Sequence, residues 1–580
     1  MARQLDIEQP RVQLRELAIV RFLPFALLLM MGTAFFLIDA ILPLQGIRSY
    51  DALLSHIRGS ASINSNFLLP TRVLFPGWVV LPLIPGKPSP HNPSIVTSWL
   101  EAAMLLGAFV VVFLLYLFAL RYLPKFISRN YLFTSTLVLG FLCILMPVLT
   151  SSDLFSYIAY ARIGIIYHLD PLVTLPTAIH SDLIIPYVYW LYQPSAYGPV
   201  WAIITSFFQW ILGFTGSAEP VSMVIALRLL GLTMHLSSTA LIWSISGYLQ
   251  RLTGSISPEQ RMRATLAFAW NPLLLYEACV NAHVDATLLF LILLAIWFLV
   301  SRRTSTIQSY LLAVATLAVA TCVKINIVLL VPGLLLFLYL RRPFNVRPVL
   351  AAAATYVGTI ILLYVPFWRG KDTLDVILVN PNSSLDKNSV ADFFSHLYNS
   401  IMHITSTHAP SEGVTHIMGM VSFACVYLIL CWRAIRAPKR INTIPGLIRW
   451  MALVWLVYCA IGSPWYWPWY LVTFFGLFAL VEATHTRKEW SFSFLRLPLA
   501  TRLLAFSMLS LYCFYTWGPL YTYVPGLQGF LWNYVCGLWI WILPLLAFHL
   551  RSRSKISLAT QPQLSEMPSL QKQEVQALRN

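Results

Sequence analysis

The chain is a succession of long apolar runs separated by short polar breaks. Apolar stretches of about 17 to 25 residues recur from 17–42 to 529–550, which is the length that spans a bilayer as a helix. They lack the strict alternation of polar and apolar positions that marks the strands of a membrane barrel. Because the hydrocarbon interior cannot satisfy exposed backbone groups, the pattern predicts an all-α, polytopic integral membrane protein.

Basic residues in the short breaks orient these runs. Lys and Arg collect between spans, and the positive-inside rule places their clusters in the cytoplasm. All clusters face the same side only if the short segment 199–214 is a re-entrant or interfacial helix, which gives about fourteen spans. The polar, non-basic breaks then fall together on the outer face. This topology predicts a protein of the plasma membrane with cytoplasmic N- and C-termini and an outward-facing site.

Composition supports a membrane protein and argues against a soluble one. The 580 residues are 58% hydrophobic and 11% charged, with a mean hydropathy of +0.71, whereas soluble chains carry about 25% charged residues. The net charge of +17 reports orientation in the bilayer and predicts no nucleic-acid partner. The eight cysteines lie in apolar segments without metal-ligand spacing, so neither disulfides nor zinc are predicted, and no cofactor is implied.

Four regions follow from the same pattern. Residues 1–130 form a two-span unit with an outer loop, whose first run is too long for a signal peptide and is interpreted as a retained span. Residues 131–483 form a transmembrane core that carries the polar motifs, and 484–551 add C-terminal spans. The polar stretch 552–580 is predicted to be a disordered cytoplasmic tail.

The strongest candidate for chemistry is Asp153, directly after an apolar run. On a helix, Asp153, Tyr157 and Tyr160 share one face at i, i+4 and i+7. Partial dehydration beside aromatic rings disfavours the charged carboxylate, which raises its pKa and makes it a better base toward a hydroxyl. The alternative is an ordinary acidic residue in the first turn of an interfacial helix.

A second cluster lies in a polar break, where His283 and Asp285 follow Asn281. The alternative interpretation is a plain polar turn between helices. An imidazolium held by a carboxylate nevertheless suits phosphate binding or proton transfer. Lys324 and Arg228 are cations inside apolar runs, which either extend to the headgroup layer or hold an anionic lipid headgroup.

Three further elements are weaker. Tyr197 opens the Tyr-Gly-Pro motif that precedes the segment 199–214. Arg369 begins a long outer loop, 368–414, whose length favours a lid or binding loop. The aromatic run 463–470 is more typical of an interfacial belt than of sugar stacking.

Taken in order, these motifs resemble the polyprenol-phosphate-mannose-dependent α-mannosyltransferases of the GT-C superfamily. The similarity covers roughly residues 130 to 480 and is closest to the bacterial α-(1→6)-mannosyltransferases and the related family 87 enzymes. The segments that carry it are SSDLFSYIAYARIGIIYHLDPL, SAYGPVW, NPLLLYEACVNAHVDA, CVKINIVLLVPG and SPWYWPWYL.

The resemblance implies a GT-C-type helical bundle with outer-face loops that moves a sugar, mannose by this similarity, from a polyprenyl-phosphate donor to a glycolipid or glycan acceptor. Asp153 would be the general base, with inversion at the anomeric carbon and no metal. Simpler members of the superfamily place the catalytic Asp after the first span, whereas two spans and an outer loop here precede the span that leads into Asp153, so Asp39, near the outer end of the first run, ranks second as a base. The remaining candidates would bind the donor phosphate or sugar: His283, Asp285, Lys324, Arg228, Arg369, Tyr157 and Tyr197. A multi-span transporter or lipid flippase is the alternative function, although such proteins place their sites at the midplane between repeats.

Overall fold

The computed structural model describes residues 22–38, 95–146, 151, 153–185, 188–216, 220–254, 256–301, 306–341, 346–378, 387–402, 410–484, 496–516 and 523–559. Asp39 and residues 560–580 of the predicted tail lie outside the described residues. Within these ranges every regular element is helical, apart from isolated β-bridges that Lys387 and Asn388 form with Trp465. The all-α prediction is therefore confirmed.

The helices are numbered here in chain order. The first half contains α1 (Phe22–Ile38), α2 (Ile95–Tyr122), α3 (Arg129–Ile144), α4 (Asp153–Ile165), α5 (Pro199–Phe214), α6 (Pro220–Thr253), α7 (Pro258–Ala269), α8 (Pro272–Val280), α9 (Asp285–Val300) and α10 (Thr306–Thr321). The second half contains α11 (Val331–Arg341), α12 (Arg347–Tyr364), α13 (Lys371–Leu378), α14 (Val390–Ile401), α15 (Pro410–Arg436), α16 (Ile444–Val457), α17 (Val472–Thr484), α18 (Arg496–Thr516), α19 (Leu527–Phe530) and α20 (Cys536–Ala559). The last helix thus runs past residue 552, where the tail was predicted to begin.

Length and hydropathy identify the spans. Among the described residues, seven helices are long and apolar enough to cross a membrane, or eight if the bent pair α8 and α9 forms one span. Further apolar helices, including α1, α3, α5 and α10, are shorter. The chain is therefore a polytopic membrane protein, while the predicted total of about fourteen spans and their orientation remain predictions.

Apolar side chains lie both inside and outside the bundle. Every residue of α17 is buried, and it packs against α7, α9 and α16. In contrast, α12 and α15 expose long apolar faces, with Leu362 72% and Leu428 64% accessible. Exposed faces of this kind belong against lipid acyl chains, which are as apolar as the side chains themselves.

The helix that precedes α9 is broken in the middle of the bundle. The last turn of α8, Tyr276–Val280, is a π-helix, and α8 and α9 meet at a bend of 113°. Ala282, between them, has a left-handed φ of 51°, which is strained for a residue with a Cβ. Irregular backbone within a membrane bundle is tolerated where it lines a site. The break carries His283 and leads into Asp285.

A close helix crossing supports this break. Gly231 of α6 lies against the π turn, and a Cβ at that position would come within 1.8 Å of the Ala278 carbonyl oxygen. Only glycine fits, so α6 and the π turn approach backbone to backbone. The packing of α6 against the π turn therefore fixes the position of the break.

Candidate active site

Asp153 begins α4, which is not one of the candidate spans. Its backbone N–H donates to the Ser151 hydroxyl over 3.3 Å, and its carboxylate Oδ1 accepts one hydrogen bond, from the Trp190 indole over 3.1 Å. The side chain is 15% exposed. Burial raises the pKa of Asp153 to about 6, against the opposing influence of the Trp190 N–H. The carboxylate is therefore poised to exchange a proton near neutral pH.

His283 lies beside this carboxylate, in the break between α8 and α9. Its Nδ1 is 4.0 Å from Asp153 Oδ2 and 3.3 Å from the Tyr157 hydroxyl. The ring stacks on Trp469 at a centroid distance of 3.9 Å and an angle of 17°. On the opposite side, Nε2 is 3.5 Å from Glu277 Oε2. The imidazole thus lies between two carboxylates in a fixed plane.

The two phenols of the predicted helix face have different places. The Tyr157 hydroxyl lies 3.3 Å from the Tyr197 hydroxyl, and their rings meet edge to face. Tyr160 instead donates to the Gln193 carbonyl over 3.0 Å. The structure therefore brings Tyr157 and Tyr197 together at the histidine, while Tyr160 holds the loop before Tyr197.

Lys324 and Asp285 form a buried ion pair in the same region. The Lys324 Nζ is 3.0 Å from Asp285 Oδ1 and 4.0 Å from the centroid of the Tyr470 ring. The second oxygen of Asp285 has no hydrogen-bond partner among the described residues. Both charges act on Asp153: the ammonium lowers its pKa and the carboxylate raises it. The ion pair therefore belongs to the Asp153 site, and its ammonium has further N–H donors to offer.

The Tyr-Gly-Pro motif joins two parts of the site through the backbone. The Gly198 N–H donates to the Val323 carbonyl over 3.0 Å, and the Val200 N–H donates to the Cys322 carbonyl over 3.1 Å. A Cβ at residue 198 would lie 2.2 Å from the Cys322 oxygen, so this position requires glycine. Pro199 then starts α5 at the position where its missing N–H costs nothing.

The aromatic run lines the site. Trp465 meets Trp190 edge to face at 5.7 Å, while Trp467 and Trp469 stack at 5.2 Å and 9°. The loop 368–414 holds this run through hydrogen bonds between the backbones of Lys387 and both Pro464 and Tyr466. A run expected to be an interfacial belt therefore supplies the aromatic wall beside His283.

Two predicted donor-binding cations have other contacts. The buried Arg228 guanidinium donates to the carbonyls of Val280, over 2.8 Å, and of Ile144 and Met146. It thereby satisfies carbonyls at the ends of α3 and α8 that have no helical partner. Through these contacts Arg228 supports the backbone around the site, and its role in donor binding remains a prediction.

Arg369 lies at the other end of α4. Its Nε pairs with Asp170 Oδ2 at 3.0 Å, and its side chain is 57% exposed. The pair borders a separate cavity of about 530 Å³ between the loop after α4 and one face of α5. The described contacts therefore do not bring Arg369 to Asp153.

Sequence reasoning missed four residues of the site. Trp190, Glu277, Trp469 and Tyr512 all contact Asp153, His283 or each other. Glu277 had a readable signal, since an acidic residue inside an apolar run is a functional candidate. Trp190 had none, because it lies in an irregular loop and reaches Asp153 only through tertiary folding.

An apolar groove opens beside Lys324. It has a volume of about 570 Å³ and is lined almost entirely by apolar and aromatic surface. Cys322 and Ile325, on either side of Lys324 in sequence, form one wall, and α12 forms the other through Tyr356, Tyr364 and neighbouring residues. The groove therefore lies between the lipid-exposed helix α12 and the segment of chain that carries Lys324, although Lys324 itself does not line it.

These features define an all-helical, polytopic membrane protein whose broken helices bring a carboxylate, an imidazole and an ammonium together beside an aromatic wall. Residues 77–340 match the family described as alpha-(1->6)-mannopyranosyltransferase, N-terminal domain. This confirms the resemblance inferred from the motifs, and the chain therefore carries a mannosyltransferase family domain.

The matched range covers less than half of the 580 residues. Asp153, His283, Asp285 and Lys324 lie within it, whereas the aromatic run 463–470 lies beyond it. A comparison with curated proteins finds no match.

Proposed function

We propose that this mannosyltransferase moves mannose from a polyprenyl-phosphate donor to an acceptor hydroxyl on the outer face of the plasma membrane, with inversion and with Asp153 as the general base. The observation that carries the proposal is the state of Asp153. It is a partly exposed carboxylate with a pKa of about 6, held by the indole of Trp190 and placed beside His283.

The bond changes need one base and one cation. The acceptor oxygen attacks the anomeric carbon, the bond from that carbon to the phosphate oxygen breaks, and the acceptor proton passes to Asp153. A phosphate leaves without protonation, unlike the alkoxide released by a glycosidase, which needs a second carboxylate as acid. Attack from the face opposite the phosphate inverts the configuration.

Lys324 is the cation best placed to offset the charge of the departing phosphate. It lies within the electrostatic reach of Asp153, and one of its N–H groups is already oriented by Asp285. An ammonium held in place by a buried carboxylate needs no reorganisation as the phosphate charge develops. Asp285 therefore orients Lys324 rather than contacting the sugar.

The apolar groove beside Lys324 supports a lipid-linked donor. Its aromatic and aliphatic walls suit an isoprenoid chain, and two of its lining residues, Cys322 and Ile325, flank Lys324 in the sequence. We assign the groove to the first isoprene units of the donor. The stacked Trp467 and Trp469 offer faces suited to a sugar ring of donor or acceptor.

The outer-face assignment rests on the charge pattern and on the donor class. Basic loops mark the cytoplasmic side, which puts Asp153 on the other side. Lipid-linked sugars serve sites that nucleotide sugars cannot reach. The acceptor would accordingly be a glycolipid or a growing glycan of the cell envelope.

Transfer of radiolabelled mannose from polyprenyl-phosphate-mannose to membrane acceptors tests the proposal. Wild type, Asp153→Asn and Asp372→Asn would be compared at matched expression; Asp372 is an exposed carboxylate in the first turn of α13. We expect transfer by the wild type and the control but not by Asp153→Asn. Equal transfer by all three would remove Asp153 as base, and no transfer by the wild type would reject the donor and favour a transport function.

A further inference from the structure

A second acidic residue lies behind the histidine and has no role in the scheme above. Glu277 is fully buried in the π turn of α8. Its Oε1 accepts a hydrogen bond from the Tyr512 hydroxyl over 2.7 Å, and its Oε2 accepts one from the Asn281 amide over 3.1 Å. A buried carboxyl group is costly, and an apolar residue would pack a membrane helix at less cost.

The position of Glu277 relative to His283 gives the buried acid a use. The two ring nitrogens face opposite carboxyl groups: Nδ1 is 4.0 Å from Asp153 Oδ2, and Nε2 is 3.5 Å from Glu277 Oε2. Imidazole can bind a proton on one nitrogen while it donates from the other. A hydrogen-bond partner on one nitrogen fixes which nitrogen carries the proton in the neutral ring.

The backbone holds this arrangement in register. The His283 N–H donates to the Glu277 carbonyl over 2.9 Å across the break. The stack on Trp469 fixes the ring plane. The two ring nitrogens therefore face the two carboxyl groups at once, at distances of 4.0 and 3.5 Å at which neither contact is yet a hydrogen bond. The π turn sets the distance between His283 and Glu277.

We propose that Glu277 is a positioning residue that accepts the Nε2 proton of His283, so that Nδ1 faces Asp153 and can take up the proton that Asp153 receives from the acceptor. The inference rests on the proposed role of Asp153 as base. The proton moves from Asp153 Oδ2 to His283 Nδ1, which restores the carboxylate and leaves an imidazolium beside Glu277. After product release the proton returns to water through Asp153, the member of the three with exposed surface.

The other groups around the ring fit this assignment. The Tyr157 hydroxyl approaches Nδ1 and can donate to it while the ring is neutral. Tyr512 orients Glu277 in turn.

A double-mutant cycle separates this role from a structural one. Glu277→Gln, His283→Gln and the double variant would be assayed in membranes that contain the full chain. We expect Glu277→Gln to lower kcat about 30- to 100-fold with the donor KM little changed, as for other groups that orient a catalytic or metal-bound histidine. Because Glu277 acts through His283, the double variant should be no slower than His283→Gln alone.

Tyr512→Phe, which removes one donor to Glu277, supplies a milder variant, and we expect it to lower kcat about threefold to tenfold. If Glu277→Gln does not accumulate, the cycle of Tyr512→Phe with His283→Gln makes the same test. The inference would be overturned if the loss in kcat of either double variant equalled the product of the losses in its two single variants, or if Glu277→Gln left kcat unchanged. Asp153→Asn distinguishes the two proposals. If the role of Glu277 is overturned but Asp153→Asn is inactive, the assignment of Asp153 as base still stands, whereas an active Asp153→Asn rejects that assignment.

Discussion

The two ends of α4 hold two carboxylates of opposite character. At the C-terminal end, Arg162 of α4 pairs with Asp182, and its Nε lies 2.9 Å from both carboxylate oxygens. Asp182 also accepts hydrogen bonds from the Tyr167 hydroxyl and the Ile184 N–H, each over 3.0 Å. Its side chain is 1% exposed. Hydrogen-bond donors and a cation thus surround this carboxylate.

Asp153, at the N-terminal end, lacks such a set of partners. Its carboxylate accepts from Trp190, stands 4.0 Å from His283, and keeps 15% of its side chain exposed. Donors that surround a carboxylate stabilise its charged form and occupy its lone pairs, whereas a base must have a lone pair free for the incoming proton. The comparison shows that Asp182, with more partners and less exposure, has the surroundings of a structural carboxylate, whereas Asp153 has those expected of the proposed base.

The largest effect should come from exchanging each acid for its amide. Asp153→Asn should lower transfer about 1000-fold, since it removes the base but keeps the shape. Asp182→Asn should instead weaken the fold by about 3 to 5 kcal/mol, because it leaves Arg162 buried without its partner. Transfer rates normalised to folded protein, together with thermal unfolding in detergent, measure both. A folded but inactive Asp182→Asn would break the distinction.

Lys324 and Arg369, two of the three Lys and Arg residues predicted from the sequence to bind the donor, should differ almost as much. Lys324→Met combined with Asp285→Asn removes the ammonium without leaving a buried charge, and we expect kcat/KM to fall about 100-fold or more. Arg369→Met, at the other end of α4, should stay within about threefold of wild type, since its partner is Asp170. Initial rates at varied donor concentration provide the measurement. A comparable loss in both variants would return Arg369 to the donor site.

The pH dependence of transfer sharpens the comparison further. In the proposed mechanism the carboxylate form of Asp153 is the base, and it is protonated as the pH falls through its pKa of about 6. We therefore expect kcat/KM to be constant above that pH and to fall about tenfold for each unit below it. Rates between pH 5 and 8, with stability checked at each pH, would show this limb. A profile that is flat to pH 5 would contradict the assignment.

The smallest effect should come from removing the indole N–H that Asp153 accepts. Trp190→Phe keeps the aromatic contact with Trp465 but loses the N–H that stabilises the charged carboxylate. The pKa of Asp153 should rise, so the acid limb should move to higher pH, with a loss of about tenfold or less at neutral pH. A full pH profile of the variant is the measurement, and a limb that stays in place would assign Trp190 to packing alone.

The sequence predicts the class of fold and the principal break. Long apolar runs require helices in a bilayer, and a His and an Asp in an otherwise apolar stretch mark where a helix is interrupted. The sequence cannot assign roles to the basic residues, because Lys324 and Arg228 both stand alone inside apolar runs. Lys324 is proposed to bind a ligand, whereas Arg228 donates to carbonyls at helix ends. The contact between Trp190 and Asp153 arises from loop packing, for which no local pattern exists.

Gly198 has a consequence for how such a site can diversify. Its N–H donates to the Val323 carbonyl. Tyr197 and Lys324, the residues next to this backbone hydrogen bond, are therefore held close together although they are far apart in sequence. Side chains elsewhere around the pocket can then change to suit a different acceptor without moving the phenol relative to the ammonium. The backbone hydrogen bond thus fixes the positions of Tyr197 and Lys324, whereas the side chains that select the acceptor can be substituted independently.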